Sequence, residues 1–162
     1  MNVTVDRTAR GLRFDSLRQE AFLNLWRTYD RLRAIEDEVF GAYDLTPQQY
    51  NALRLLRSAH PGRIPTLLLA SQLVSRAPDI TRLLDKLAER FLIDRVRPEG
   101  DRRTVQVGIT EAGLDLLNEL SFEVRQCHER QLGHMDSEEL SQLVRLLKRV
   151  RAPHEGEGSG WK

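Results

Sequence analysis

Residues 76–110 read R-A-P-D-I-T-R-L-L-D-K-L-A-E-R-F-L-I-D-R-V-R-P-E-G-D-R-R-T-V-Q-V-G-I-T. In the first half, Ile80, Leu83, Leu84, Leu87 and Phe91 recur at the spacing of one helical face. Arg76, Asp79, Thr81, Arg82, Asp85, Lys86 and Glu89 are left for solvent or a ligand. Ser75 stands where this helix needs a cap, and Pro78 falls in the first turn, where a missing N–H does no harm. Strands are expected at about 93–97 and 103–109, the second alternating through Val105, Val107 and Ile109. Between them Pro98-Glu99-Gly100 builds a turn, and Asp101-Arg102-Arg103 places two guanidiniums where the strands meet. A short amphipathic helix followed by a basic-tipped hairpin is the layout of a winged helix-turn-helix. In that layout the helix enters a major groove and the hairpin tip reaches the backbone or minor groove.

Upstream, Thr46-Pro47-Gln48-Gln49 combines a cap, a proline at the first helical position and a capping-box glutamine. Tyr50, Leu53, Leu56 and Ala59 form the inner face of that helix, and His60-Pro61-Gly62 ends it. Ile64-Pro65 reads as a short extended piece, and a third helix is expected over about 66–74 with Leu67, Leu68, Ala70, Leu73 and Val74. A long first helix carries Phe22, Leu25, Trp26, Tyr29, Leu32, Ile35, Val39 and Phe40, with Asp15 or Ser16 as cap and Gly41 as stop. Downstream, Thr110 caps a fifth helix (Leu114, Leu117, Leu120, Val124), and Asp136 with Glu139 caps a sixth that Pro153 terminates. The expected architecture is therefore mainly α. Residues 1–14 form a flexible arm, 15–151 one domain, and the Gly-rich 152–162 a disordered tail. Within the domain, 46–109 is the winged-helix core of three helices and a β-hairpin wing, and 15–45 and 110–151 are N- and C-terminal dimerisation helices. The apolar faces of those flanking helices exceed what one small core covers, and a second copy would bury the surplus. The competing reading is a monomer whose bundle packs on its own wing domain.

At 162 residues the chain fits one domain with a real core, and 40% apolar against 30% charged residues suits a water-soluble helical protein. A net charge of +1 does not announce a nucleic-acid binder, so placement of the basic groups decides. The single Cys127 rules out an internal disulfide and suits a reducing compartment. The N-terminus lacks the apolar run of a signal peptide and no stretch is long enough for a membrane helix, so a cytoplasmic protein is expected. No nucleophile elbow, phosphate loop or dinucleotide fingerprint is present, and neither an enzyme activity nor a cofactor is expected. His60, His128, His134, His154 and Cys127 match no zinc spacing.

The candidate DNA-contacting set is Ser75, Arg76, Asp79, Thr81, Arg82 and Lys86 on the helix, with Arg95, Asp101, Arg102 and Arg103 on the hairpin. Arginine bonds guanine bidentately, threonine meets a base edge or a thymine methyl, and a helix N-terminus holds phosphate. Taken alone, the helix also reads as an ordinary solvated face. The paired arginines beside an aspartate tip the balance, since a bland hairpin tip favours Asn, Gly or Ser.

Residues 16–151 resemble the MarR family of bacterial winged-helix transcription regulators. The resemblance is carried by L-L-D-K-L-A-E-R-F-L-I-D-R-V-R-P-E-G-D-R-R-T-V-Q-V-G-I-T-E-A-G. It is similar to the family's recognition helix, its D-x-R wing (Asp101 and Arg103) and the T-x-x-G start of the next helix (Thr110 to Gly113). The resemblance implies a homodimer, recognition by helix and wing, and often a small-molecule or oxidant signal. Phe91 departs from the pattern, since the family commonly ends the recognition helix with glycine, and a different helix end is expected here. Hydroperoxide sensors of the family carry a cysteine near the start of the first helix, where this chain has none, so Cys127 reads as buried or interfacial. Trp26, Tyr29 and Arg33, with Tyr50 across, are the candidate ligand-binding residues for a small aromatic or phenolic effector. The same aromatics also read as core. Urate-responsive members pair a first-helix Trp with an Asp on the second helix; Trp26 resembles the former, and Asn51 stands near the place of the latter.

The expected function is a sequence-specific, DNA-binding transcriptional regulator. It would act as a homodimeric repressor on a pseudo-palindromic operator in double-stranded DNA, released by a small ligand. The alternative is a winged-helix protein–protein adaptor that binds no DNA. Arg102 and Arg103 favour the first, because an adaptor has no need of them.

Overall fold

The computed structural model describes residues 14–75, 79–100, 103–156, 159 and 161. It divides into two compact units, Met1–Ala34 and Ile35–Lys162. Helix α1 (Leu17–Gly41) is capped by Ser16, whose hydroxyl accepts from the Gln19 N–H at 3.1 Å. Gly41 is its last residue, but the left-handed turn beyond is made by Asp44 at φ 53°. An aspartate tolerates that region better than most residues. The Arg90 guanidinium donates to the carbonyls of Tyr43 (3.1 Å) and Asp44 (2.6 Å), which fastens the turn to the core.

Helix α2 (Pro47–Ala59) begins with the full capping box: Thr46 Oγ1 accepts from the Gln49 N–H at 3.2 Å and Gln49 Oε1 accepts from the Thr46 N–H at 2.9 Å. Ala52, Leu53 and Leu56 are fully buried. Strand β1 (Ile64–Pro65) leads directly into α3 (Thr66–Gln72), where the Thr66 N–H and hydroxyl both bond the Val105 carbonyl. Helix α3 stops two residues before the expected position 74. Leu69 and Leu73 supply its buried contacts, while Leu67 is 83% exposed and Leu68 and Val74 also face outward. A seven-residue helix gives one narrow inner stripe, and three adjacent leucines cannot all share it.

Helix α4 (Ile80–Glu89) buries Leu83, Leu84 and Leu87. Its cap is Asp79, not Ser75: the Asp79 carboxylate accepts from the Arg82 N–H at 2.9 Å. A capping side chain must reach the second or third amide of the helix, and Ser75 lies too far upstream. At the other end the Phe91 N–H bonds the Ala88 carbonyl and the Leu92 N–H bonds the Leu87 carbonyl. These are the two bonds of a Schellman turn, and Phe91 occupies its left-handed position at φ 58°. The helix thus ends as it would with glycine, contrary to the expectation. Phe91 also leaves the core, at 79% exposure, and Leu92 takes its place inside.

Strands β2 (Ile93–Val96) and β3 (Gln106–Ile109) are antiparallel, with Ile93 opposite Ile109 and Val96 opposite Gln106. β1 pairs on the other edge of β3, so the sheet has three strands in the order β1-β3-β2. At Gly108 an added Cβ would lie 2.9 Å from Asp94 Oδ1 and 3.1 Å from Arg63 Nη1. The missing side chain lets the Arg63–Asp94 ion pair cross above β3 and tie the two edges together.

The expected fifth helix is two: α5 (Glu111–Glu119) and α6 (Ser121–Leu132). Leu120 between them keeps helical angles and bonds on both sides, so the division is a local one. Thr110 accepts from the Gly113 N–H at 3.2 Å and donates its hydroxyl to the Phe91 carbonyl at 2.6 Å. A Cβ at Gly113 would strike the Leu92 carbonyl oxygen and stand 2.6 Å from Ile109 Cγ1. The T-x-x-G pattern is therefore a packing device that presses α5 onto the end of α4. Helix α7 (Ser137–Arg151) opens with the Asp136–Glu139 capping box, and a 3₁₀ turn, Ala152–His154, follows it. Beyond that turn the Trp161 indole N–H donates to the Gln72 carbonyl at 3.2 Å, and its ring lies under the Arg151 guanidinium.

Candidate nucleic-acid interface

The outward face of α4 is built by subtraction. Leu83, Leu84 and Leu87 turn inward, which leaves Thr81, Arg82, Lys86 and Glu89 exposed. Asp79 and Asp85 are each three residues from Arg82, at the spacing of helical neighbours, and both are engaged elsewhere. Asp79 caps the helix, and Asp85 forms an ion pair with Arg95 at 2.7 Å. Among the described residues the Arg82 guanidinium has no hydrogen bond or ion pair. The free cation therefore sits in the first turn of the helix, where the unpaired N–H groups already favour an anion.

Asp79 and Arg95 thus have structural partners that the sequence reading did not assign them. Arg95 is a strut from β2 to α4, and it fixes the hairpin's base against the helix. Ser75 is exposed, and its hydroxyl accepts from Gln48 Nε2 at 3.0 Å. Arg76, Asp101 and Arg102 lie outside the described residues. Arg103 is exposed in the turn that leads into β3. The structure therefore brings Thr81, Arg82 and Lys86 onto one face and puts Arg103 on a separate, adjoining element.

Two further residues on α2 make long-range bonds that the sequence did not signal. Asn51 is only 8% exposed, and its Oδ1 accepts from the Val74 N–H at 3.0 Å. Gln48, one turn earlier on α2, makes the contact to Ser75. Both bonds span more than twenty residues, and no local pattern signals them.

Of the candidate ligand residues, Trp26 and Tyr29 are exposed on α1, and Trp26 lines an open apolar groove with Phe14, Leu23 and Arg27. Arg33 lies further along α1. Tyr50 stacks on Phe40, ring centroids 4.5 Å apart. Cys127 is buried, at 1% exposure. Burial pushes its thiol up from the ordinary value, and Glu36 adds to the effect. Among the described residues no group of His, Cys, Asp and Glu is arranged to hold a metal ion, and no helix is long and apolar enough to cross a membrane.

A short helix, a second helix with an open cationic face and a hairpin braced against it define a winged helix-turn-helix protein. The MarR family model matches residues 45–105, from the start of α2 into the hairpin. Among curated proteins, the HTH-type transcriptional regulator PecS of Dickeya dadantii is 30% identical over 115 residues, 70% of this chain and 69% of that protein. Among solved structures, a MarR transcription factor from Planctomyces limnophilus is 57% identical, with 84% of this chain and 98% of that one covered and a TM-score of 0.68. The fold also matches a mutant MarR from E. coli complexed with operator DNA, at 22% identity, 84% and 99% coverage and a TM-score of 0.73. The chain belongs to the MarR family. It is a DNA-binding transcription regulator, as its relatives are.

Proposed function

We propose that the protein is a cytoplasmic homodimeric repressor. It binds a pseudo-palindromic operator with α4 in the major groove and the hairpin against the backbone or minor groove, and a small aromatic or phenolic effector releases it. The observation that carries this reading is Arg82: an exposed guanidinium, one turn into a rigidly backed helix, whose two acidic neighbours are engaged elsewhere. Such a group suits bidentate bonding to guanine. Thr81 and Lys86 flank it, with Arg103 and the neighbouring Asp101 and Arg102 supplying sequence-independent contacts. The candidate effector residues on α1 are Trp26, Tyr29 and Arg33, whose apolar rings and one cation suit a phenolate. No catalytic role is assigned to any residue.

Selection from randomised duplexes tests the reading. Arg82→Ala should cost about 1–3 kcal/mol on the wild-type consensus and relax one position in each half-site. The half-sites should lie roughly 10 bp apart, centre to centre. If the variant selects the same consensus with equal information at every position, Arg82 does not read bases. A consensus without two-fold symmetry removes the dimeric operator.

A further inference from the structure

We propose that Asn51 and Gln48 are positioning residues for DNA reading: from one face of α2 they hold the segment that delivers the recognition helix. The inference rests on the DNA-binding reading above. Helix α3 ends at Gln72 and α4 starts at Ile80, so the presentation of α4 depends on how the chain between them is held. Three successive residues of that segment are pinned. Leu73 is buried in the core, the Val74 N–H donates to Asn51 Oδ1 at 3.0 Å, and the Ser75 hydroxyl accepts from Gln48 Nε2 at 3.0 Å.

Asn51 and Gln48 are three residues apart and therefore neighbours on the helix surface. Their platform is rigid: α2 is locked by its capping box at one end and by Ala52, Leu53 and Leu56 in the core along its length. Burying an amide beside those apolar residues is unfavourable unless it is matched. Here it is matched by a main-chain N–H that has just left the end of a helix. Removing the amide leaves α4 packed through its leucines but frees Val74, at the start of the stretch that leads to it. A reading helix loses discrimination when its placement loosens by about an ångström, before it loses its packing. Neither residue needs to touch DNA for this to hold.

The test uses the full chain and two duplexes, the operator that the wild-type protein selects and a scrambled duplex of equal length, at one salt concentration. It is run at a temperature where circular dichroism shows each variant folded. Asn51→Leu should cut the ratio of operator to scrambled affinity about tenfold, the scale of one lost hydrogen bond with its donor left unpaired. The scrambled affinity and its salt slope should stay unchanged, because the phosphate contacts are the same. Asn51→Asp keeps the acceptor oxygen and should retain most of the ratio. Gln48→Met should also lower the ratio, since it removes the bond to Ser75 and no proposed DNA contact.

A purely structural role would lower both affinities together and leave the ratio intact. An unchanged ratio in folded Asn51→Leu overturns the proposal. Should that variant not fold, the exposed Gln48→Met decides, and an unchanged ratio there overturns it equally. A wild-type protein that selects no duplex sinks the DNA reading itself, a different result from a selective wild type with indifferent variants.

Discussion

Phe91 holds a left-handed backbone with a side chain that is almost wholly in solvent. For an L-residue that conformation costs about 1–2 kcal/mol, and little burial offsets it here. Phe91→Gly should relieve the strain, and part of the gain is returned through the greater freedom of glycine in the unfolded chain. The expected net effect is a stabilisation of roughly 0.5–1 kcal/mol, seen as a raised urea midpoint at constant slope. A lowered midpoint would mean that the ring makes a contact worth more than the strain. Cys127 offers a second measurement. Its folded thiol titrates above the ordinary 9.0, so the folded state keeps a proton that the unfolded chain gives up. The associated stability is complete below about pH 9 and is lost as pH rises through the folded value. Wild-type stability should therefore fall above pH 9 more steeply than that of Cys127→Ala, even though the variant starts lower because of its cavity. Parallel pH profiles would refute this.

The recognition helix and the hairpin act as one braced element. Arg95 from β2 meets Asp85 on α4, and Thr110 and Gly113 clamp the base of the hairpin onto the helix terminus. On the proposed reading, Arg103 belongs to an element that meets the DNA backbone or minor groove and carries little base information. Arg103→Ala should weaken binding to cognate and random duplexes alike and reduce the salt slope by about one. Unchanged affinity at physiological salt would remove Arg103 from the interface. Most of these elements were legible in the sequence, because their signals are local. Thr46 with Gln49 and Asp136 with Glu139 are reciprocal pairs three residues apart, and the structure forms both boxes. The misreadings came where two candidates competed or where the deciding partner was remote. Ser75 and Asp79 are both of a capping type, and what separates them is where the helix begins: at Ile80, next to Asp79 and too far along for the Ser75 hydroxyl to reach its first amides. In α3 three consecutive leucines gave no period from which to choose Leu69. Phe91 carries no sequence signal for a positive φ; that conformation is imposed by the Schellman bonds and by Leu92 entering the core.

For the molecule as a whole, exposed apolar side chains mark the flanking helices. Leu17, Phe22, Trp26 (62% exposed) and Tyr29 stand out on α1, and Phe122, Val144, Leu146 and Val150 on α6 and α7. A self-associating pair would cover such surfaces. Light scattering at micromolar concentration should give twice the 18.7 kDa of one chain, and Trp26→Asp with Val144→Asp should shift the mass downward. A mass of one chain for the wild type would end the dimer model and, with it, the symmetric operator. The division of labour within α4 reaches further than any single contact. The helix is held from behind by Leu83, Leu84 and Leu87 and from its start by Asp79, and none of its outward residues takes part in that support. Exchanging Thr81, Arg82 or Lys86 should therefore alter folding by no more than about 0.5 kcal/mol, the usual range for surface positions. On the proposed reading of those three side chains, a lineage carrying this scaffold can drift from one operator to another without passing through unfolded intermediates, and an engineer can retarget it without rebuilding the core.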